Sequence, residues 1–245
     1  MTESFDLSFV EHDQARRADD FRKINAIIER LAARRKRSIE VQGPFLRSKL
    51  AWKVASYQQA VLYRVVMLAR GARLTWNAQN ILACFLLVRA LVETIAVFDD
   101  FERQLLSALD REDLTALDQL VMNRTFATRD GELVRDFPDV LAVNVLTLVD
   151  RLQARYDLPI RDNYDSLSER CHPNSTGHHQ MFSTTDTNDG TVRFSELKSV
   201  ATNLDTIRAP FGLIGLFERS MDILEIAIMR IAEVQHRLNP VNGES

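Results

Sequence analysis

Between Ile81 and Phe98 the sequence ILACFLLVRALVETIAVF sets apolar residues on every face of a helix, and its only charged residues are Arg89 and Glu93. A helix apolar all round has to be surrounded by others, in a protein core or in a bilayer. Two ionisable groups at mid-span are expensive in lipid, so the segment is expected to be the central buried helix of a soluble bundle, from about Asn77 to Leu109. Arg89 and Glu93 lie one turn apart on the same face, with Asp100 two turns beyond Glu93. An unpaired charge inside such a helix costs several kcal/mol, so these groups need partners. Tyr164, Glu169, His172 and Asn174 are side chains of suitable type, which places the segment 164–174 against the Arg89–Glu93 face.

The rest of the chain supplies the surrounding helices. From Asp13 to about Arg37, Phe21, Ile24, Ile28 and Leu31 recur at three- and four-residue steps and form one helical stripe. Gly43-Pro44 breaks it, and a second stripe through Leu50, Val54, Tyr57, Val61 and Leu68 is expected to run to a turn at Gly71. Shorter helices are predicted over 112–122, 139–155 and 163–171. Thr187-Asn188-Asp189-Gly190 then marks the turn of a small β-hairpin over about 180–195. A helical pattern resumes from Ser195 to Leu238, with Pro210 kinking or dividing it. The expected fold is all-α: a multi-helix bundle around residues 77–109 with one hairpin. It forms a single domain over 1–245, with about ten N-terminal and six C-terminal residues frayed.

Composition narrows the function classes. With 46% hydrophobic and 27% charged residues, a 245-residue chain of net charge −3 exerts no global pull on nucleic acid, so any RNA binding has to come from a local patch. Two distant cysteines, Cys84 and Cys171, fit a reducing cytoplasm and no disulfide framework. The acidic N-terminus lacks an export signal. There is no glycine-rich phosphate loop and no G-x-S-x-G nucleophile turn, and no cofactor or membrane is expected. Several amphipathic helices offer more apolar surface than one hairpin can cover, which points to a homodimer.

One stretch gathers chemistry: LSERCHPNSTGHHQMF, from Leu167 to Phe182, holds three of the five histidines. Pro173 disfavours helix at His172 and leaves its imidazole at a helix C-terminus, where the dipole favours the protonated ring. With Glu169 a turn or less away, His172 reads as a general acid or base oriented by a carboxylate. It reads equally as a helix end capped together with Asn174. His178 and His179 are adjacent and match no zinc spacing, so no metal is assigned. The run Ala33-Arg34-Arg35-Lys36-Arg37 is the strongest basic cluster, and Arg34, Arg35 and Arg37 read as an anion or RNA patch or as a solvated face.

Arg89-Ala90-Leu91-Val92-Glu93 in a central helix, and Tyr164 to Asn174 (YDSLSERCHPN) before a variable loop, give the chain a resemblance to uncharacterised bacterial helical proteins that are distantly similar to the HEPN superfamily. The resemblance spans roughly Asn77 to the last helix. It implies a helical bundle, commonly dimeric, and in many members a metal-independent ribonuclease of defence systems. The catalytic arginine of that family is followed by histidine after four to six residues, whereas here only Cys171 separates Arg170 from His172. The expected function is an RNA-acting defence or stress protein in which His172 transfers protons, Glu169 orients it and Arg89 stabilises phosphate charge, with Glu93 a further candidate member of the constellation. The alternative is a non-catalytic helical module that binds a ligand or partner, with Arg89, Glu93 and His172 as a structural network.

Overall fold

A computed structural model describes residues 4–7, 14–196 and 200–238. Among them the chain is helical apart from one two-stranded hairpin, with helices α1 (Gln14–Ala33), α2 (Pro44–Arg47), α3 (Lys49–Asn77), α4 (Ile81–Asp110), α5 (Leu114–Thr125), α6 (Gly131–Asp136), α7 (Val145–Tyr156), α8 (Ile160–Cys171), α9 (Val200–Gly212) and α10 (Ile214–Leu238). The expected helix start at Asp13 and the frayed last residues lie outside the described residues.

α4 is the hub, packed against α3, α5, α7, α8, α9 and α10. Asn80 starts it, its side chain accepting from the Ala83 amide at 3.1 Å, as an N-cap should. Asn77 therefore ends α3 instead of opening α4. Among the described residues α4 alone is long and apolar enough to cross a membrane, with a mean hydropathy of 2.3 over eighteen residues, 56% of them buried in the bundle. Its core face meets Tyr57 and Phe217: Tyr57 and Phe101 lie 4.5 Å apart between ring centres, Phe98 and Phe217 4.8 Å.

The turn expected at Gly71 is absent, because α3 runs through it to Asn77. The glycine serves a close helix approach instead: an added Cβ would stand 3.3 Å from Leu87 Cδ1 on α4. Residues 4–7 are pinned, where fraying was expected. Phe5 packs on Phe21 and Phe211, Trp76 Nε1 donates to the Asp6 carbonyl at 2.8 Å, and Asn77 Nδ2 donates to the Ser4 carbonyl at 2.7 Å.

The hairpin pairs β1 (Ser183–Thr185) with β2 (Val192–Phe194) antiparallel, Ser183 opposite Phe194. Gly190, at φ 71°, supplies the left-handed residue of its turn. Ser195 closes the hairpin by donating to the Phe182 carbonyl at 2.8 Å, so the last helical region begins later than expected. Pro210 sits in the final turn of α9, and the chain breaks at Leu213 before α10.

Candidate functional site

The charged pair of α4 meets α8 as its chemistry requires. Arg89 Nε donates to Glu93 Oε1 at 3.1 Å and to the Tyr164 hydroxyl at 3.3 Å, and that hydroxyl donates to Glu93 Oε1 at 2.7 Å. The guanidinium lies 5.7 Å from the centre of the Tyr164 ring, close enough for a cation–π contact. Burial, and then the bond to Glu93, push the Tyr164 phenol above its ordinary value, which keeps it protonated as the donor. Tyr164 itself is 2% exposed, while Arg89 and Glu93 keep about a third of their side chains in solvent. The pair is a half-buried clamp on one tyrosine.

His172 does not join it. The chain turns extended there (φ −83°, ψ 147°), as a residue before proline prefers, and the imidazole is exposed, with no hydrogen bond or ion pair among the described residues. Glu169 is engaged elsewhere, accepting from Asn174 Nδ2 at 2.6 Å. Asn174 Oδ1 accepts from the Gly177 amide at 2.9 Å and starts a π-helical turn, Ser175–Gln180. Capping chemistry therefore takes the carboxylate that proton transfer would have used. Cys171 is the residue of this stretch that lies beside Arg89, and burial raises its thiol despite that charge. Burial pushes Cys84 up to about 12, so neither thiol is a poised nucleophile. His178 and His179 are exposed, and no group of three His, Cys, Asp or Glu side chains gathers as a ligand set among the described residues.

The basic run is divided. Arg34 is neutralised by Asp222 and Glu225 of α10, at 2.8 and 2.9 Å. Arg35 donates to the Ala32 carbonyl and lies over the Tyr63 ring. Lys36 and Arg37 are exposed.

Next to the clamp lies a cleft that the sequence did not disclose. Its volume is about 360 Å³, within the range of small-molecule sites. Val92 of α4 forms one side, Ile160, Asn163 and Tyr164 of α8 another, and Pro210, Leu213 and Leu216 around the α9–α10 break the third, with Leu158 at its rim. The space exists because α8 begins after Pro159 while α9 and α10 part at Leu213, with glycine at 212 and 215. Its polar side chains are few and largely engaged: Asn163 Nδ2 donates to the Pro159 carbonyl at 2.6 Å, and the Tyr164 hydroxyl belongs to the clamp.

A second charged network occupies the other half of α4. Asp100, 1% exposed, accepts from Arg103 at 2.8 Å, Arg124 at 2.5 Å and Arg151 at 3.1 Å. Arg155 of α7 bridges Asp99 at 2.9 Å and Glu102 at 2.8 Å, while the Ser220 hydroxyl of α10 donates to Glu102 and the Tyr156 hydroxyl to Asp99. Burial would raise Asp100, but its three arginines outweigh burial and hold it below the ordinary carboxylate value. Burial wins at Asp99 and raises it in spite of Arg155.

The two aspartates therefore act on stability with opposite signs. The contribution of Asp100 is present above its unfolded value of about 3.9 and is lost as pH falls through the lower folded value. That of Asp99 is present below about 3.9 and is lost as pH rises through the higher folded value. In urea melts between about pH 3 and 6, Asp100→Asn is expected to fall progressively further behind the native protein as pH rises, and Asp99→Asn to improve relative to it. Parallel pH trends for the two variants would contradict this assignment.

No family model, curated protein or solved structure matches the chain.

Proposed function

We propose that the chain is a non-catalytic helical module that binds a small, neutral, apolar ligand in the cleft between α4, α8 and the α9–α10 break. The observation that carries this reading is that Tyr164 serves both features: it lines the cleft and its hydroxyl is held by Arg89 and Glu93. A clamp that fixes the wall of an apolar site is a positioning device, consistent with the preformed character of ligand pockets. With one Nδ2 hydrogen of Asn163 donated to Pro159, its other hydrogen and its side-chain oxygen remain for a ligand, so the fitting ligand has an apolar body and a single small polar group. The RNA-acting reading draws less support. It asks for an acid–base pair at His172, and Glu169 is bound to Asn174.

A thermal-shift series with neutral aromatics and short-chain alcohols tests the proposal. Ligand at about 100 times its Kd should stabilise the protein by about 2.7 kcal/mol. Val92→Phe, which directs a ring into the cleft, and Leu158→Glu, which sets a charge at its rim, should each abolish the shift and leave the protein folded. No shift with any compound, or shifts that survive both substitutions, would overturn the reading.

A further inference from the structure

α3 carries five lysines and arginines over its 29 residues and no acid. The loop that leaves α1 adds to this surplus, because it is bonded onto α3: Lys36 N donates to Gln59 Oε1 at 2.9 Å, Gln59 Nε2 to the Arg34 carbonyl at 3.4 Å, and the Tyr63 hydroxyl to the Lys36 carbonyl at 3.1 Å. Arg35, Lys36 and Arg37 are thereby brought to Tyr63 and its neighbour Arg64, and the half-buried Arg35 guanidinium lies 5.2 Å from the centre of the Tyr63 ring. None of these four cations meets a carboxylate among the described residues: Arg35 Nε donates to the Ala32 carbonyl at 3.2 Å and Arg64 Nε to Thr94 Oγ1 at 3.0 Å. Acids on the elements around them serve other arginines, Glu29 pairing with Arg70 and Arg73, Glu93 with Arg89, and Asp222 and Glu225 with Arg34. Glu40, further along the loop, accepts from Gln42. On the same stripe of α3, one turn and three turns beyond Tyr63, stand Met67 at 63% exposure and Leu74 at 57%.

We propose that this strip of α3 lies on an anionic lipid surface, with Arg35, Lys36, Arg37 and Arg64 among the phosphate headgroups and the tips of Met67 and Leu74 at the shallow boundary beneath them. Charge and apolarity select the occupant together. Unpaired cations alone suit any polyanion, but cations joined through a tyrosine to apolar side chains that stand out in solvent have the make-up of an interfacial helix. A second copy of the chain is disfavoured, since a two-fold pairing would set the surplus against itself. The contact is peripheral: α3 rests on the surface as part of the bundle, and nothing spans the bilayer. Because the whole chain carries a net charge of −3, its attraction to anionic lipid has to come from this patch and has to be screened by salt.

Co-sedimentation of the full chain with vesicles of equal parts phosphatidylserine and phosphatidylcholine, beside vesicles of phosphatidylcholine alone, tests the proposal. The protein should pellet with the first at low salt, be released at high salt, and stay in solution with the second. Each lysine or arginine at such a surface contributes about fivefold, so Lys36→Gln/Arg37→Gln should bind about 25-fold more weakly. Met67→Gln should bind more weakly with its salt dependence unchanged, and both variants should keep native circular dichroism. Arg129→Gln/Arg135→Gln removes two exposed cations elsewhere and should bind as the native protein does. Equal pelleting with both vesicles, pelleting with neither, full binding by Lys36→Gln/Arg37→Gln, or an equal loss in the Arg129→Gln/Arg135→Gln control would overturn the lipid contact. Pelleting with neither, joined to binding of a single-stranded RNA oligonucleotide that Lys36→Gln/Arg37→Gln abolishes, would assign the strip to nucleic acid instead.

Discussion

Arg155→Ala is expected to destabilise the protein by about 3–5 kcal/mol, the cost of removing one partner from a buried ion network. The arginine spans Asp99, 5% exposed, and Glu102, 0% exposed, and both would remain as charges inside the bundle. For a chain of this size that loss corresponds to a fall in melting temperature of roughly 10 °C. The penalty should shrink as pH falls through the raised folded value of Asp99, where that acid takes up a proton and becomes neutral. Combining Arg155→Met with Asp99→Asn and Glu102→Gln should recover most of it, since neutral groups need no counter-charge. Urea melts of the three proteins decide the matter: a single variant within about 1 kcal/mol of the native protein would show that the network carries no such energy.

Gly177→Ala is the second large effect. Gly177 is buried in the π-helical turn, and an added Cβ would stand 1.8 Å from the His172 carbonyl oxygen and 3.0 Å from its carbon. Backbone cannot yield as a side-chain tip can, so the turn has to move off the end of α8. The expected cost is about 3 kcal/mol, at the upper end of ordinary overpacking. Hydrogen exchange should show the loss centred on 172–182, with α4 protected as before. Full native stability would mean that the histidine stretch is not held by this contact.

These two sites mark where sequence reading succeeds and where it stops. α4 was legible because apolar residues on every face leave a helix few environments, and its Arg89 and Glu93 demanded a polar partner, which Tyr164 provides. The fate of His172 was not legible. Spacing brings Glu169 near it, but the choice between bonding an imidazole and bonding the Asn174 amide depends on the direction in which Pro173 turns the chain. Gly71 misled for a related reason, since glycine serves tight turns and close helix approaches alike. Asp99 and Glu102 gave no signal in the sequence, because their partner Arg155 lies more than fifty residues away in the chain. The cleft had no signal at all: it arises from where α8 starts and where α9 and α10 part, and no residue type announces an empty space.

The most direct measurement is methyl-resolved NMR of the protein titrated separately with a small neutral aromatic and with a single-stranded RNA oligonucleotide. The proposed module predicts saturable shifts of the Val92, Leu158, Ile160, Leu213 and Leu216 methyls with the aromatic and none with RNA. Unmoved cleft methyls, together with RNA-induced shifts around Leu167 and Met181 on either side of His172, would contradict it.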